Sequence, residues 1–299
     1  MDIFISLYNH FRQSYGLPTD LVTIGAMFVA AIAIFKVDVT PFGRGFFCDD
    51  QSLMYPYHDD TVSMVDAALI GVLPMVLLIF AIEALDAYLL TGLSCVRTFF
   101  NMYGKLLFAQ IGVASFGGGV CYLTTEVVKL VVGRLRPHFF DVCKPDFSKI
   151  NCSAGYIVDY VCQGTNDALI IDAKKSFPSG HSSFIAFAMT YIIMYTQIRL
   201  PRKNCRLLRA LLQFGAALGG VYVCVSRISD YKHHWSDVLG GAVLGIVTSA
   251  LTVLYVNDVK RINYEEGMSD EKSPVPLTKY EKKEPAKYED VQSSRRTVV

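Results

Sequence analysis

SMVDAALIGVLPMVLLIFAIEAL, running from Ser63 to Leu85, is apolar apart from Asp66 near its start and Glu83 near its end. A helix of that length crosses a bilayer core of roughly 30 Å. Five further blocks of similar character follow or precede it: Leu21–Phe35, Leu106–Val128, Ser182–Ile198, Leu207–Val225 and Val238–Val256. Each is expected to be helical, because the hydrocarbon core offers the backbone no water to satisfy its N–H and C=O groups. The fourth block is the least hydrophobic, broken by Thr190, Tyr191, Tyr195 and Thr196. The expected fold is therefore all-α, an integral membrane bundle of six transmembrane helices.

The totals agree. Of 299 residues, 52% are hydrophobic, above the roughly 45–50% usual in soluble chains, and the mean hydropathy is +0.35. A formal net charge of +1 gives no basic field for nucleic acid. Residues 1–20 read as a cytosolic N-terminal segment and 21–257 as the membrane unit. Residues 258–299, polar and charge-mixed, read as a disordered cytosolic tail. Met1–Asp20 has one basic residue, Arg12, and no continuous apolar run, so no cleavable signal peptide is expected. The first span would be its own insertion signal.

Orientation follows from the short loops. Arg199-Leu200-Pro201-Arg202-Lys203-Asn204-Cys205-Arg206 joins spans four and five, and so dense a basic loop belongs in the cytosol. An even number of spans then puts both termini in the cytosol, and the loops Lys36–Val62, Lys129–Phe177 and Arg227–Asp237 outside. Asn151-Cys152-Ser153 in the third loop is an N-glycosylation sequon, useful only on that side. Cys48, Cys143, Cys152 and Cys162 all fall in outward segments, where an oxidising compartment permits disulfides whose pairing the sequence leaves open.

Three polar clusters stand where apolar helices meet these outer loops. They are Lys129 to Arg136-Pro137, Pro178-Ser179-Gly180-His181, and Ser226-Arg227 to His233 and Asp237. Because the helices alternate direction, span counting brings all three to one membrane surface. Lys129, Arg136 and Arg227 concentrate positive charge at headgroup level, arginine forking onto phosphate oxygens and lysine adding a point charge. Ser179 and Gly180 supply a hydroxyl and N–H groups at a helix start, an anion site. His233 and Asp237 are four apart, so on a helix they share a face. The carboxylate would hold one ring N–H and leave the other nitrogen nucleophilic. His181 remains as an acid for a leaving alkoxide. No carboxylate cluster suggests a metal, and no cofactor is called for.

The pattern Lys-x6-Arg-Pro, Pro-Ser-Gly-His, Ser-Arg-x5-His-x3-Asp resembles the three-part signature of the type 2 phosphatidate phosphatase superfamily. Arg-Pro-His-Phe at 136–139, Lys149-Ile-Asn-Cys-Ser, Tyr160-Val-Cys-Gln and Ser226-Arg-Ile-Ser-Asp-Tyr-Lys-His-His-Trp-Ser-Asp look like animal lipid phosphate phosphatases. The likeness covers roughly residues 20–260, with Pro178 a local departure from many animal members. It implies a metal-independent phosphatase acting on phosphatidate, lysophosphatidate, sphingosine 1-phosphate and ceramide 1-phosphate. His233 would form a phosphohistidine, and His181 would protonate the leaving alcohol and then activate water. Asp237 would orient His233, with Lys129, Arg136, Ser179, Gly180 and Arg227 holding the phosphoryl oxygens. It also implies lipid partners, a tendency to homo-oligomers, and residence in the plasma membrane or an internal membrane.

Rival readings are a superfamily transferase passing a phosphoryl-linked headgroup from His233 to an alcohol acceptor, a silent lipid-binding or adhesion protein, and a transporter. A transporter would need polar residues or helix breaks at mid-membrane depth, whereas the polar groups here gather at one surface. A silent relative should have lost part of the residue set. Blander expectations attach to other residues. His234 reads as interfacial, Glu83 and Asp86 as lying at the inner interface, and Glu126 as a partner for Lys129 one turn on. Gly117-Gly118-Gly119 and Gly241-x3-Gly245 read as close helix packing. Phe46, Phe47, Tyr55 and Tyr57 read as an aromatic belt, or as residues shaping acyl-chain access.

Overall fold

A computed structural model describes residues 19–34, 40–91, 96–200 and 205–256. The N-terminal segment to residue 18, the middle of the basic loop (201–204) and the tail from 257 lie outside the described residues. Helix α1 spans Thr19–Ile34, α2 Met64–Thr91, α3 Val96–Val132, α6 Gly180–Arg199, α7 Arg206–Ser229 and α8 Trp235–Leu251. A π-helical turn, Thr252–Val256, prolongs α8. Two short helices, α4 (Phe139–Cys143) and α5 (Asp167–Asp172), belong to the connection between α3 and α6.

Helices thus occupy all six expected places. Four of them, α2, α3, α7 and α8, are long and apolar enough to cross a membrane. Their outward faces carry Leu69, Leu73 and Leu77 on α2, Leu211, Phe214 and Leu218 on α7, and Leu239, Val243 and Ile246 on α8, all exposed. Apolar surface on this scale is lipid-facing in a membrane protein, and a soluble one would have to hide it. In its described part α1 is shorter, and packs Ile24 towards Gly112 and Met27 towards Gly119 of α3.

The polar character of α6 has a structural cause. It is the central helix, packed against α2, α3, α7 and α8. Its Ser182, Ser183, Tyr191, Tyr195 and Thr196 are all buried in the bundle. Neighbouring helices rather than lipid surround it, so polar side chains are tolerated wherever they find partners. Tyr195 Oη donates to Glu83 Oε1 at 2.6 Å, and Arg199 bridges Glu83 and Asp86. Glu83 is therefore fully buried, which corrects its reading as an interfacial residue. A buried carboxylate needs charged and hydrogen-bonding partners, and α6 supplies both.

Close packing of α8 on α6 sets the position of the site. A Cβ at Gly241 would collide with the Ser179 carbonyl, and one at Gly245 with the Ser183 carbonyl. Two glycines one turn apart thus let the α8 backbone lie directly on the start of α6.

The segments joining the spans on the side of the polar clusters are folded, beyond the simple connections that the sequence suggests. Phe46, Leu53, Leu135, Phe139, Val142, Ile157 and Ile170 form a second apolar core separate from the bundle. The disulfides Cys48–Cys152 and Cys143–Cys162 staple it, which resolves the pairing. Phe46 is 2% exposed and meets Phe140 edge-on, so it belongs to this core and to no interfacial belt. Phe47 and Tyr55 remain exposed.

Candidate active site

The C-terminal end of α3 stops at Gly133, whose φ of +56° is a conformation that a side chain would strain. A Cβ there would also strike the Phe42 carbonyl. The chain can then turn, which brings Arg134 to Ser236 and Asp237 at the start of α8 and Arg136 to Asp172 of α5. At the start of α6 the Ser179 hydroxyl takes the Ser182 N–H at 3.4 Å and the Ser182 hydroxyl at 3.0 Å, an N-cap. At the end of α7, Asp230 caps the helix, Tyr231 adopts φ +53°, and the chain reverses into α8.

Backbone and side-chain bonds draw these three turns together. Ser179 N–H donates to the Asp237 carbonyl at 3.0 Å, and Ser176 N–H to the Arg134 carbonyl at 2.9 Å. Arg134 Nη1 reaches Asp237 Oδ1 at 2.6 Å. Gly180 lies so near Lys129 that a Cβ would sit 3.0 Å from Nζ. The glycine leaves room for the ammonium above the α6 N-terminus, where helix-end N–H groups add to the positive field.

His233 is 3% exposed. Its Nδ1 lies 2.8 Å from the Ser176 carbonyl. A carbonyl only accepts, so Nδ1 carries the proton and Nε2 keeps its lone pair. Burial pushes the pKa of His233 well below the ordinary histidine value, and the charges of Arg136 and Lys129 push it the same way. The ring is thus neutral at physiological pH. His181 Nε2 is buried and has no partner among the described residues.

The cations differ in how they are held. Lys129 Nζ donates to Glu126 Oε1 at 2.6 Å, the pairing expected from their spacing. Arg136 is fixed by the Asp172 carboxylate at 2.7 Å and the Asp172 carbonyl at 3.0 Å. Arg227 is fully buried, and its guanidinium is gripped by Asp60 at 2.6 Å and Asp230 at 2.8 Å. Asn151 is exposed, and its side chain caps the Ser153 N–H.

Asp237 departs from its expected partner. Its carboxylate accepts the Ser176 hydroxyl at 2.6 Å and the His234 N–H at 3.0 Å, and lies 3.0 Å from His234 Nδ1. The physical reason is where the helix begins. α8 starts at Trp235, so His233 precedes it, and the four-residue helical spacing does not apply. His234, read as merely interfacial, is the histidine that meets the carboxylate. Ser176, Arg134, Asp60 and Asp230 were also missed. Arg134 stands two residues before Arg136 and Asp230 three after Arg227, both local hints, while Ser176 and Asp60 are distant in sequence from what they hold.

The sequence matches the PAP2 superfamily over residues 110–261. It is 45% identical over 224 residues to phospholipid phosphatase 1 of Rattus norvegicus, covering 73% of this chain and 77% of that protein. It is 40% identical over 240 residues to phospholipid phosphatase 2 of Homo sapiens, covering 80% and 82%. A solved structure, the first transmembrane PAP2 type phosphatidylglycerolphosphate phosphatase from Bacillus subtilis, aligns at 18% identity with a TM-score of 0.35, covering 85% of this chain and 100% of that one. That score is too low to bear on the fold. Family match and long alignments agree with the three ordered motifs, and the chain belongs to the PAP2 superfamily, in its phospholipid phosphatase group.

Proposed function

We propose that this multi-pass membrane protein hydrolyses monoester lipid phosphates through a phosphohistidine formed at His233. The observation that carries the reading is a neutral, buried His233 with Nδ1 tied to the Ser176 carbonyl, in the field of Lys129 and Arg136. A phosphate dianion brought to those cations meets a nitrogen lone pair already aimed and unprotonated. The Nε2–P bond forms as the P–O bond to the lipid alcohol breaks, and His181 gives the departing alkoxide its proton. His181 then takes a proton from water, whose oxygen attacks phosphorus and frees His233 and inorganic phosphate. Lys129, Arg136, Arg227, Ser179 and Gly180 hold the phosphoryl oxygens throughout. Phosphoryl transfer depends above all on positioning and charge stabilisation, which suits a site richer in cations than in acids and bases.

Asp237 enters this scheme as a frame. It holds Ser176, whose carbonyl in turn fixes His233. The substrates are phosphatidate, lysophosphatidate, sphingosine 1-phosphate and ceramide 1-phosphate, reached laterally from the bilayer. Two disulfides in the outer core support a site facing an oxidising compartment, at the plasma membrane or an internal membrane, with Asn151 open to glycosylation and the termini in the cytosol.

The test is phosphate release from lysophosphatidate in detergent micelles with excess EDTA, using the intact protein, His233→Ala and His181→Ala. Metal-independent turnover abolished by His233→Ala, with a radiolabelled phosphoenzyme trapped only when His233 is present, supports the reading. A folded protein inactive on all four lipids overturns it.

A further inference from the structure

Beside Lys129 a cleft opens between α2, α3 and α6. Its polar end holds Lys129, Gly180 and Glu126, and Tyr122, Phe184 and Phe187 line its apolar remainder. Glu126 stands one turn before Lys129 on α3 and so lies deeper from the outer surface. Its Oε1 accepts from Lys129 Nζ at 2.6 Å, and no other described side chain hydrogen-bonds the carboxylate. The Glu126 side chain is 23% exposed, onto this cleft.

This arrangement is odd for an anion site. A lipid phosphate drawn to Lys129 must pass its first carbons beside Glu126 before its chain reaches the aromatic part of the cleft. There a carboxylate repels the phosphate, and surroundings poor in water weaken the screening. A substrate carrying a positive charge next to its phosphate turns that repulsion into attraction. Sphingoid base phosphates do so, with a primary ammonium on the carbon adjoining the phosphate-bearing one. Phosphatidate and lysophosphatidate place an ester or hydroxyl there, and ceramide 1-phosphate a neutral amide.

We propose that Glu126 reads a cationic amine beside the lipid phosphate, and so selects free sphingoid base phosphates over glycerolipid and N-acylated ones. This rests on the reading of the site as a lipid phosphatase, and it names one substrate class within it. Holding Lys129 is the ordinary alternative role, and that role would affect every substrate alike.

The experiment measures kcat/KM in mixed micelles for sphingosine 1-phosphate, N-acetylsphingosine 1-phosphate and lysophosphatidate, with wild type, Glu126→Gln and Glu126→Asp. The first two lipids differ only in acetylation of the amine. Wild type is expected to favour the free amine by at least about tenfold, since a site built for a polar partner rejects the analogue lacking it. Glu126→Gln is expected to bring the ratio towards one, and Glu126→Asp to keep part of it. A wild-type ratio near one overturns the proposal. So does an unchanged ratio in Glu126→Gln, whatever loss is common to all substrates. Should Glu126→Gln be inactive throughout, the wild-type ratio and Glu126→Asp decide. A folded wild type inactive on every lipid overturns instead the phosphatase reading, and this inference with it.

Discussion

Asp237 accepts the backbone N–H of His234 on the oxygen that lies 3.0 Å from that residue's Nδ1, while His233 turns its own Nδ1 to the Ser176 carbonyl. The acid thus reaches His233 at one remove, through Ser176, whose hydroxyl it binds at 2.6 Å. Ser176→Ala keeps the carbonyl but removes its anchor. We expect kcat to fall roughly tenfold to a hundredfold with KM little changed, the range found when an outer partner of a working group is lost. Asp237→Asn breaks the Arg134 bridge as well and is expected to cost more, in both kcat and thermal stability. Steady-state kinetics beside a melting curve in detergent separate the two effects. A Ser176→Ala enzyme with wild-type kcat would show that the carbonyl needs no anchor.

The charges around His233 predict a pH profile. Burial and the neighbouring Arg136 and Lys129 depress its pKa, so protonation of the imidazole proposed as nucleophile, and the loss of kcat/KM expected from it, sets in well below pH 6.5. Arg136→Gln removes one depressing charge. The imidazole then protonates at higher pH, and the acid limb moves upward, alongside the weaker phosphate binding that the lost guanidinium causes. Profiles of kcat/KM for the two proteins report the free-enzyme pKa. A limb that stays fixed, or moves down, contradicts the electrostatic account.

Much of this was legible in the sequence, for reasons that differ by residue. The apolar blocks announce the helices because burial in lipid demands long unbroken runs. The polar clusters come together because alternating helices leave no choice of face. Burial of Glu83 could not be read, since it depends on Tyr195 and Arg199 arriving from a helix far along the chain. The second apolar core could not be read for the same reason: Phe46 pairs with Ile157 across 111 residues of sequence. The Asp237 partner was misread over a single residue, because a helix boundary shifts which neighbour faces the carboxylate.

Packing of α8 on α6 gives a graded test. Gly245→Ala sets a methyl against the Ser183 carbonyl, and Gly241→Ala sets one against the Ser179 carbonyl. Both are expected to destabilise by about 1–3 kcal/mol, the usual cost of overpacking. Only Gly241 adjoins the α6 N-terminus, so its substitution is expected to depress activity beyond what the melting shift explains. Equal residual activity at equal stability would uncouple this contact from the site.

His138 offers a stability measurement independent of turnover. It is 1% exposed, with Nδ1 2.9 Å from the Tyr231 carbonyl. Burial pushes its pKa down to about 4, against about 6.5 in an unfolded chain. Between those values the unfolded chain binds a proton that the folded one refuses. Stability is therefore full above pH 6.5 and is lost as pH falls towards 4, by up to about 1.4 kcal/mol per unit. His138→Asn can still donate to Tyr231 but does not titrate. It is expected to flatten the fall in melting temperature between pH 6.5 and 4, at a modest cost at pH 7.5. Parallel curves for the two proteins would mean that other groups set the acid sensitivity of the fold.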